Sequence, residues 1–165
     1  MTSTPPELWP AGPKLRWRLV TDAVMGGVSQ GRLTEEAILE RDAARMRGTV
    51  STENNGGFIQ IATDLDADGG SLDASAFTGI AIDVTGNGEL YAVHLRTTAM
   101  SRPQQSYRQG FVATAGWQTL RLPFAEFTAH RIDEPMDLTR LRRLGLVAIG
   151  RAFDADLAIA RLAFY

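Results

Sequence analysis

The chain has no cysteine. That single absence excludes a disulfide framework, a thiolate zinc site and a cysteine nucleophile, and it fits a reducing, cytoplasmic setting. It has no run of the roughly 18–20 apolar residues that a membrane-crossing helix requires, so no transmembrane segment is expected and the chain reads as soluble. A charge excess is missing too. With 17 basic residues against 19 acidic the formal net charge is −2, which leaves no strong positive field to draw nucleic acid, although local basic patches stay open. Histidine is scarce. His94 and His130 have no carboxylate or second histidine at ligand spacing, so neither a metal nor another cofactor is expected. No serine sits in a nucleophile elbow, and Gly86-Asn87-Gly88 lacks the following helix that cradles a phosphate. No catalytic constellation remains, and the expectation is a protein that is not an enzyme.

What is present is an ordinary globular composition. The 165 residues, 44% apolar and 22% charged, suffice for one domain with a continuous core. Met1 to Pro13 holds Pro5, Pro6, Pro10 and Pro13 but neither a basic leader nor an apolar run. It reads as a loose N-terminal arm over residues 1–13 rather than a secretory signal, leaving residues 14–165 as a single β-sandwich domain. Past the arm, short apolar runs recur with turn residues between them, the spacing of an all-β sandwich. Leu15 to Val20 alternates Leu15, Trp17 and Leu19 with Arg16 and Arg18, the period of a half-buried strand. Gly57 to Thr63, Gly79 to Thr85 and Glu89 to Thr97 repeat that alternation, and Gly86-Asn87-Gly88 joins the last two as an expected hairpin. Tyr107 to Ala113 and Trp117 to Leu122 add two strands, Pro123 interrupting pairing. Leu144 to Ile149 and Leu157 to Phe164 are apolar enough for central strands, and Glu35 to Arg45, despite helix-forming residues, is read as strand in a hairpin. Asp137 to Arg143 reads as one or two helical turns capped by Asp137, so at most one or two short helices are expected. Trp17, Tyr91, Phe111, Trp117 and Phe124 fall on core phases and are expected to be buried.

Three segments are candidates for binding. Met25-Gly26-Gly27 follows Asp22 in a loop, and paired glycines permit positive φ or close backbone approach. The segment is either a tight connection at the sandwich rim or a platform presenting Met25 to a partner. Gln60, Asp83, His94, Arg96, Gln109 and Arg121 take the non-core phase of their strands, the phase of Gln109 being shared with Tyr107 and Phe111. If those strands are neighbours, the result is a polar face of one of two kinds. One is a concave groove in which Asp83 accepts hydrogen bonds from Arg96 beside His94, with Tyr107 or Trp117 as a stacking surface. The other is a solvated face whose surface salt bridges contribute ~0–1 kcal/mol each. Asp64-Leu65-Asp66-Ala67-Asp68-Gly69 imitates the opening of a calcium loop, but Leu72 and Ser75 stand where a ligand and the bidentate glutamate belong, so it reads as a solvated acidic turn.

The stretch Trp17-Arg18-Leu19-Val20-Thr21-Asp22-Ala23-Val24-Met25-Gly26-Gly27-Val28-Ser29 resembles the opening signature of the complex I intermediate-associated protein 30 family. The resemblance continues in order through Gly48 to Phe58, Gly86-Asn87-Gly88 before Tyr91 and Arg96, then Tyr107, Phe111, Trp117 to Phe124, and Phe127. It implies a galactose-binding-like jelly roll, similar to some carbohydrate-binding modules. It also implies work in assembly, since mitochondrial members help build the NADH:ubiquinone oxidoreductase and plant relatives act in chloroplast biogenesis. The expected function is therefore a non-catalytic module for a protein partner, such as a respiratory-complex or other assembly intermediate. The alternative is a carbohydrate or small-ligand module. Asn87 departs from the Gly-Asp-Gly turn that the resemblance leads one to expect. The candidate recognition residues are Asp22, Met25, Gly26, Gly27, Asp83, His94, Arg96 and Tyr107, with Tyr91 assigned to packing.

Overall fold

A computed structural model describes residues 6–10, 15–66 and 68–165. Among these, the strands in chain order are β1 (Glu7–Trp9), β2 (Arg18–Thr21), β3 (Gln30–Ile38), β4 (Arg41–Val50), β5 (Phe58–Asp64) and β6 (Gly79–Gly86). They continue with β7 (Leu90–Thr97), β8 (Ser106–Val112), β9 (Gln118–Pro123), β10 (Thr128–His130), β11 (Leu141–Ile149) and β12 (Phe153–Phe164). All pairings are antiparallel. Sheet I runs β3-β4-β12-β6-β9, with β1 added to β12, and sheet II runs β10-β8-β7-β11-β5-β2. The two pack face to face as a jelly-roll sandwich.

Period-two alternation explains why each strand has a buried face. In β7, Tyr91, Val93 and Leu95 point inward and are buried, while His94 and Arg96 take the opposite face. Met46, Ile59, Ile61, Ile80, Ile82, Leu144, Leu146, Leu157 and Ile159 close the core between the sheets at no more than 1% exposure. Burying each such aliphatic side chain contributes roughly 1.5–3 kcal/mol, which makes this layer the main source of stability. At the Ile38 to Arg41 turn, Leu39 and Glu40 both adopt positive φ, the geometry that matches the twist of a two-residue hairpin.

Several expectations are corrected by the topology. Glu7–Trp9 does not belong to a loose arm: it pairs with the end of β12, on the edge that β4 leaves after Ile159. The other residues of the expected arm, apart from Pro6 and Pro10, lie outside the described residues. Gly86-Asn87-Gly88 does not make a hairpin, because β6 belongs to sheet I and β7 to sheet II. The turn is a corner between sheets, held where Gly86 and Gly88 donate backbone hydrogen bonds to Thr114 and Ala113 at 3.0 and 2.7 Å. Alternation reports that a strand has one buried face, not which sheet it joins. Among the described residues the helical content is four single-turn 3-10 segments, at Asp22–Met25, Glu53–Asn55, Phe124–Glu126 and Leu138–Arg140, the last capped by Asp137. Trp17, Tyr91, Phe111 and Phe124 are buried as expected, but Trp117 is only half-buried. It precedes β9, lies beneath the Arg41 guanidinium 5.1 Å from its ring centre, and donates its indole hydrogen to the Ile38 carbonyl. Trp117 is therefore a clamp on the β3–β4 hairpin rather than a core residue.

Asn87 has a structural reason. Its amide donates to the Asp154 carbonyl at 2.9 Å, which a carboxylate could not do, while its oxygen accepts from the Tyr91 hydroxyl at 2.6 Å. That hydroxyl also accepts from the Asp156 amide at 2.9 Å. Tyr91→Phe removes one hydroxyl from two partners, so urea denaturation is expected to show a loss of about 1–3 kcal/mol; a variant as stable as the parent contradicts this corner network.

Candidate functional site

The site begins at the end of β2. Thr21 caps the Asp22–Met25 turn by accepting from the Ala23 amide at 3.2 Å, and Gly26 ends it in the left-handed conformation at φ +84°. Asp22 then turns inward and is fully buried. Its Oδ1 accepts from the Ser29 amide at 3.0 Å, and its Oδ2 accepts from the Ser29 hydroxyl and the Gly57 amide, both at 2.6 Å, and from the Phe58 amide at 3.3 Å. Burial works to raise its pKa, but the Ser29 hydroxyl and these backbone donors outweigh it and hold the carboxyl below its ordinary value. A β-carbon at Gly27 or Gly56 would fall 2.4 Å from this carboxylate group, so both positions need glycine. Asp22, Gly26 and Gly27 are thus consumed in building the loop. What the loop exposes is apolar: Val24, Met25 and Val28 are 74%, 53% and 43% accessible.

Beside this loop, the outer face of sheet II forms an open groove of about 590 Å³. Its floor crosses β5, β11, β7 and β8 through Gln60, Gly145, His94 and Arg108. Gly145 leaves room for Gln60, whose Oε1 lies 2.5 Å from where a β-carbon would stand. Val24, Met25 and Phe58 form the wall at the β2 edge, and Pro103, Gln104 and Arg131 the wall near β10. Arg143 stands opposite Arg96 across β11 and β7, and His94 opposite Arg108 across β7 and β8. Arg96 donates to the Pro103 carbonyl at 2.9 Å and Arg108 to the Ser106 hydroxyl at 2.8 Å.

The electrostatics are one-sided. Burial lowers the pKa of Arg96, Arg108 and Arg143, and neighbouring guanidinium groups add to the effect in each case. Burial, then the charge of Arg108 and the field of His130, push His94 down to about 3. His130 is also held below its ordinary value by burial, Arg108 and Arg131. Neutral imidazoles of lowered pKa are weak bases near pH 7, so the groove supplies hydrogen-bond donors and positive charge rather than proton transfer. The Nε2 of His94 is buried without a hydrogen-bond partner among the described residues.

The expected polar face is therefore brought together only in part. Met25, Gln60, His94 and Arg96 line the groove. Asp83 does not: it lies on sheet I, accepting from Arg41 at 2.9 Å and from the Thr119 hydroxyl at 2.7 Å, so no Arg96–Asp83 contact exists. The cause is the corner at Gly86-Asn87-Gly88, which sends β6 and β7 to opposite sheets. Tyr107 is also misplaced as a stacking surface. It shares the inward phase with Phe111, is buried, donates to the Glu134 carbonyl at 2.6 Å, and borders a separate apolar cavity of about 520 Å³ with Phe124 and Met136. Val24, Phe58, Arg108, Arg131 and Arg143 were not picked out from sequence. Arg108 had a legible signal, being on the phase opposite Tyr107; Arg143 fell in the segment expected to be helical. In the acidic turn, Asp64 pairs with Arg18 at 3.4 Å and Asp66 accepts from the Asp68 amide at 3.1 Å.

The jelly-roll sandwich is a fold that carbohydrate-binding modules also adopt. Two solved structures of the family 11 module from Clostridium thermocellum are similar to this chain. One, from a cellulosomal cellulase, has 13% identity and a TM-score of 0.68, covering 90% of this chain and 86% of that one. The other, in complex with a β-1,3-1,4-mixed-linked tetrasaccharide, has the same identity and TM-score, covering 98% and 96%. A family 30 carbohydrate-binding module matches at 14% identity and a TM-score of 0.61, covering 79% and 73%. Identities this low show the fold alone. No curated protein matches the chain. The model of the complex I intermediate-associated protein 30 family matches residues 9–159, and the chain belongs to that family. Among the described residues, no helix is long and apolar enough to cross a membrane.

Two measurements check this site. Asp22→Ala strands the Ser29 and Gly57 donors, so thermal or urea unfolding is expected to show a loss of roughly 3 kcal/mol, given ~1.5–3 kcal/mol for each bond to a charged group and incomplete additivity. Because the folded pKa of Asp22 is lowered, its contribution is full above the ordinary carboxylate pKa and is lost as pH falls through the lower folded value. A parent and variant of equal stability at neutral pH contradict the assignment. NMR of His94 is expected to show a neutral ring from pH 8 down to about pH 4, since its pKa is pushed to about 3. The unfolded chain gains that proton near pH 6.5, so acid destabilises the fold progressively between about pH 6.5 and 3. Titration of His94 near pH 6 contradicts its burial.

Proposed function

We propose that the chain is a non-catalytic docking module for assembly, holding a protein partner at the rim of the sheet II groove. The observation that carries this reading is the exposed apolar tip Val24, Met25 and Val28, fixed on a loop whose anchor is a fully buried carboxylate. Large apolar side chains displayed on a held loop lose little freedom on binding, which favours recognition of another protein surface. Family membership supports the same reading, and a lack of cysteine is consistent with a cytoplasmic site of action.

A second reading, a carbohydrate module, draws on the donors of Gln60, Arg96 and Gln104 in the same groove and on the fold shared with modules that bind sugars. Against it, Phe58 is the sole Phe, Tyr or Trp among the described groove-lining residues, whereas neutral sugars are usually held on flat rings.

Affinity capture from the native cell, with parent and a Val24→Asp, Met25→Asp double variant, tests the docking reading. Both side chains are exposed, so the melting temperature is expected to stay within about two degrees while the captured partner is lost. Equal capture by the two proteins contradicts docking at this rim. Saturable binding of the mixed-linked tetrasaccharide, abolished by Arg96→Ala, favours the second reading.

A further inference from the structure

The arginines of the two sheets are treated differently. On sheet I four of them are matched to carboxylates: Arg41 with Asp83, Arg45 with Glu36 and Asp156, Arg47 with Glu36, and Arg161 with Glu7; Arg121 lies over the Tyr165 ring instead, and Arg32 has no ion-pair partner among the described residues. In the groove of sheet II, Arg96, Arg108, Arg131 and Arg143 have no ion-pair partner among the described residues, and no aspartate or glutamate lines the cavity. Asp64 offsets part of the field at Arg143, but it is itself paired with Arg18. Four unpaired guanidinium groups and two histidines in one groove stand out in a chain whose formal net charge is −2. Clustered like charges repel, and partial burial strips them of water, so this arrangement opposes the stability of the empty protein. Oxyanions in the groove remove both costs and supply the acceptors that guanidinium forks require.

Geometry narrows the kind of anion. Sheet II is six strands wide; at ~4.8 Å between strands the groove crosses about 24 Å, which an extended peptide of about seven residues spans at ~3.3 Å each. Alternate side chains of such a segment face the floor, where Arg143 and Arg96 lie on adjacent strands and Arg108 on the next. The Val24 and Met25 wall at one end then suits an apolar side chain of the same segment. Single-stranded nucleic acid relies on stacking rings, and this groove offers only Phe58 and the imidazoles of His94 and His130 among its described lining residues.

We propose that the groove receives an extended, carboxylate-rich segment of the protein partner, its acidic side chains bound by Arg96, Arg108, Arg131 and Arg143 and a flanking apolar side chain seated against Val24 and Met25. This rests on the docking reading and names the chemistry of the partner.

Fluorescence anisotropy with a labelled peptide, Leu-Glu-Ser-Glu-Ser-Glu-Ser, and its counterpart with glutamine for each glutamate tests the inference on the whole chain. The acidic peptide is expected to bind at least about tenfold tighter, and to weaken at least about tenfold as salt rises from about 50 to about 500 mM, because exposed ion pairs are screened. Arg131→Glu, at an exposed position, is expected to weaken it about tenfold. Arg96→Gln with Arg108→Gln is expected to do at least as much without introducing new charge. Equal binding of the two peptides, or no binding at low salt, overturns the proposal; so does tighter binding of an oligonucleotide or a sulfated tetrasaccharide of equal charge. The two failures are separable. If partner capture depends on Val24 and Met25 but survives both arginine variants, docking stands and the acidic segment falls; if capture ignores every variant, both fall.

Discussion

A single buried carboxylate joins the two sheets at the end where the groove lies. Asp22 follows β2 of sheet II and accepts from Gly57 and Phe58 at the start of β5 in the same sheet. It also accepts from Ser29, which leads into β3 of sheet I, and the Ser29 hydroxyl accepts in turn from Ser51 just after β4. Four strand ends are thereby referred to one anion. A buried charge is tolerable only when its hydrogen bonds are complete, so the surrounding backbone has little freedom. Gly27 and Gly56 follow as necessities of close approach, while the inward side chains of the loop are Asp22 and Ser29 and those of Val24 and Met25 are displayed to solvent. Loop order and groove shape are in this sense consequences of one residue.

The second constraint is the separation of charge between the sheets. Sheet I sets Arg41, Arg45, Arg47 and Arg161 against carboxylates of other strands, so much of its positive charge is matched within the sheet. Sheet II gathers arginines and excludes carboxylates from its groove. Near-zero net charge conceals this polarity, because it averages over two faces with opposite arrangements. Fold similarity to carbohydrate-binding modules establishes the scaffold, whereas the identity of what binds depends on these side chains. Burial and neighbouring guanidinium groups hold the groove's histidines below their ordinary pKa, and Phe58 is the one Phe, Tyr or Trp among its described lining residues.

Much of the architecture was legible because strands announce their buried face by alternation. Tyr91, Val93 and Leu95 were separable from His94 and Arg96 by phase alone, and Asp137 was recognisable as a cap. The signature around Asp22 to Gly27 singles out this loop, yet only coordinates distinguish its buried anchor from its displayed tip. Sheet membership was not legible. The same Gly-Asn-Gly sequence serves a hairpin or a corner, and choosing the hairpin placed Asp83 beside Arg96 when they lie on opposite sheets. The choice at Tyr107 failed for a related reason: an aromatic with a polar tip suits a groove or a core equally, and its phase with Phe111 decides for the core. Glu7–Trp9 is too short a stretch to carry a period, so its pairing with β12 left no trace in the pattern.

The proposed docking places the partner in a groove preformed on sheet II, with its rim fixed by Asp22. Backbone and arginine side-chain NMR of the labelled protein, titrated with the captured partner, addresses it most directly. Docking in the groove is expected to give shift changes confined to Val24 and Met25, the floor around His94 and Gly145, and the guanidinium groups of Arg96, Arg108, Arg131 and Arg143. Changes centred instead on Arg45 and Arg47 of sheet I, or on the apolar cavity beside Phe124 and Met136, would contradict it.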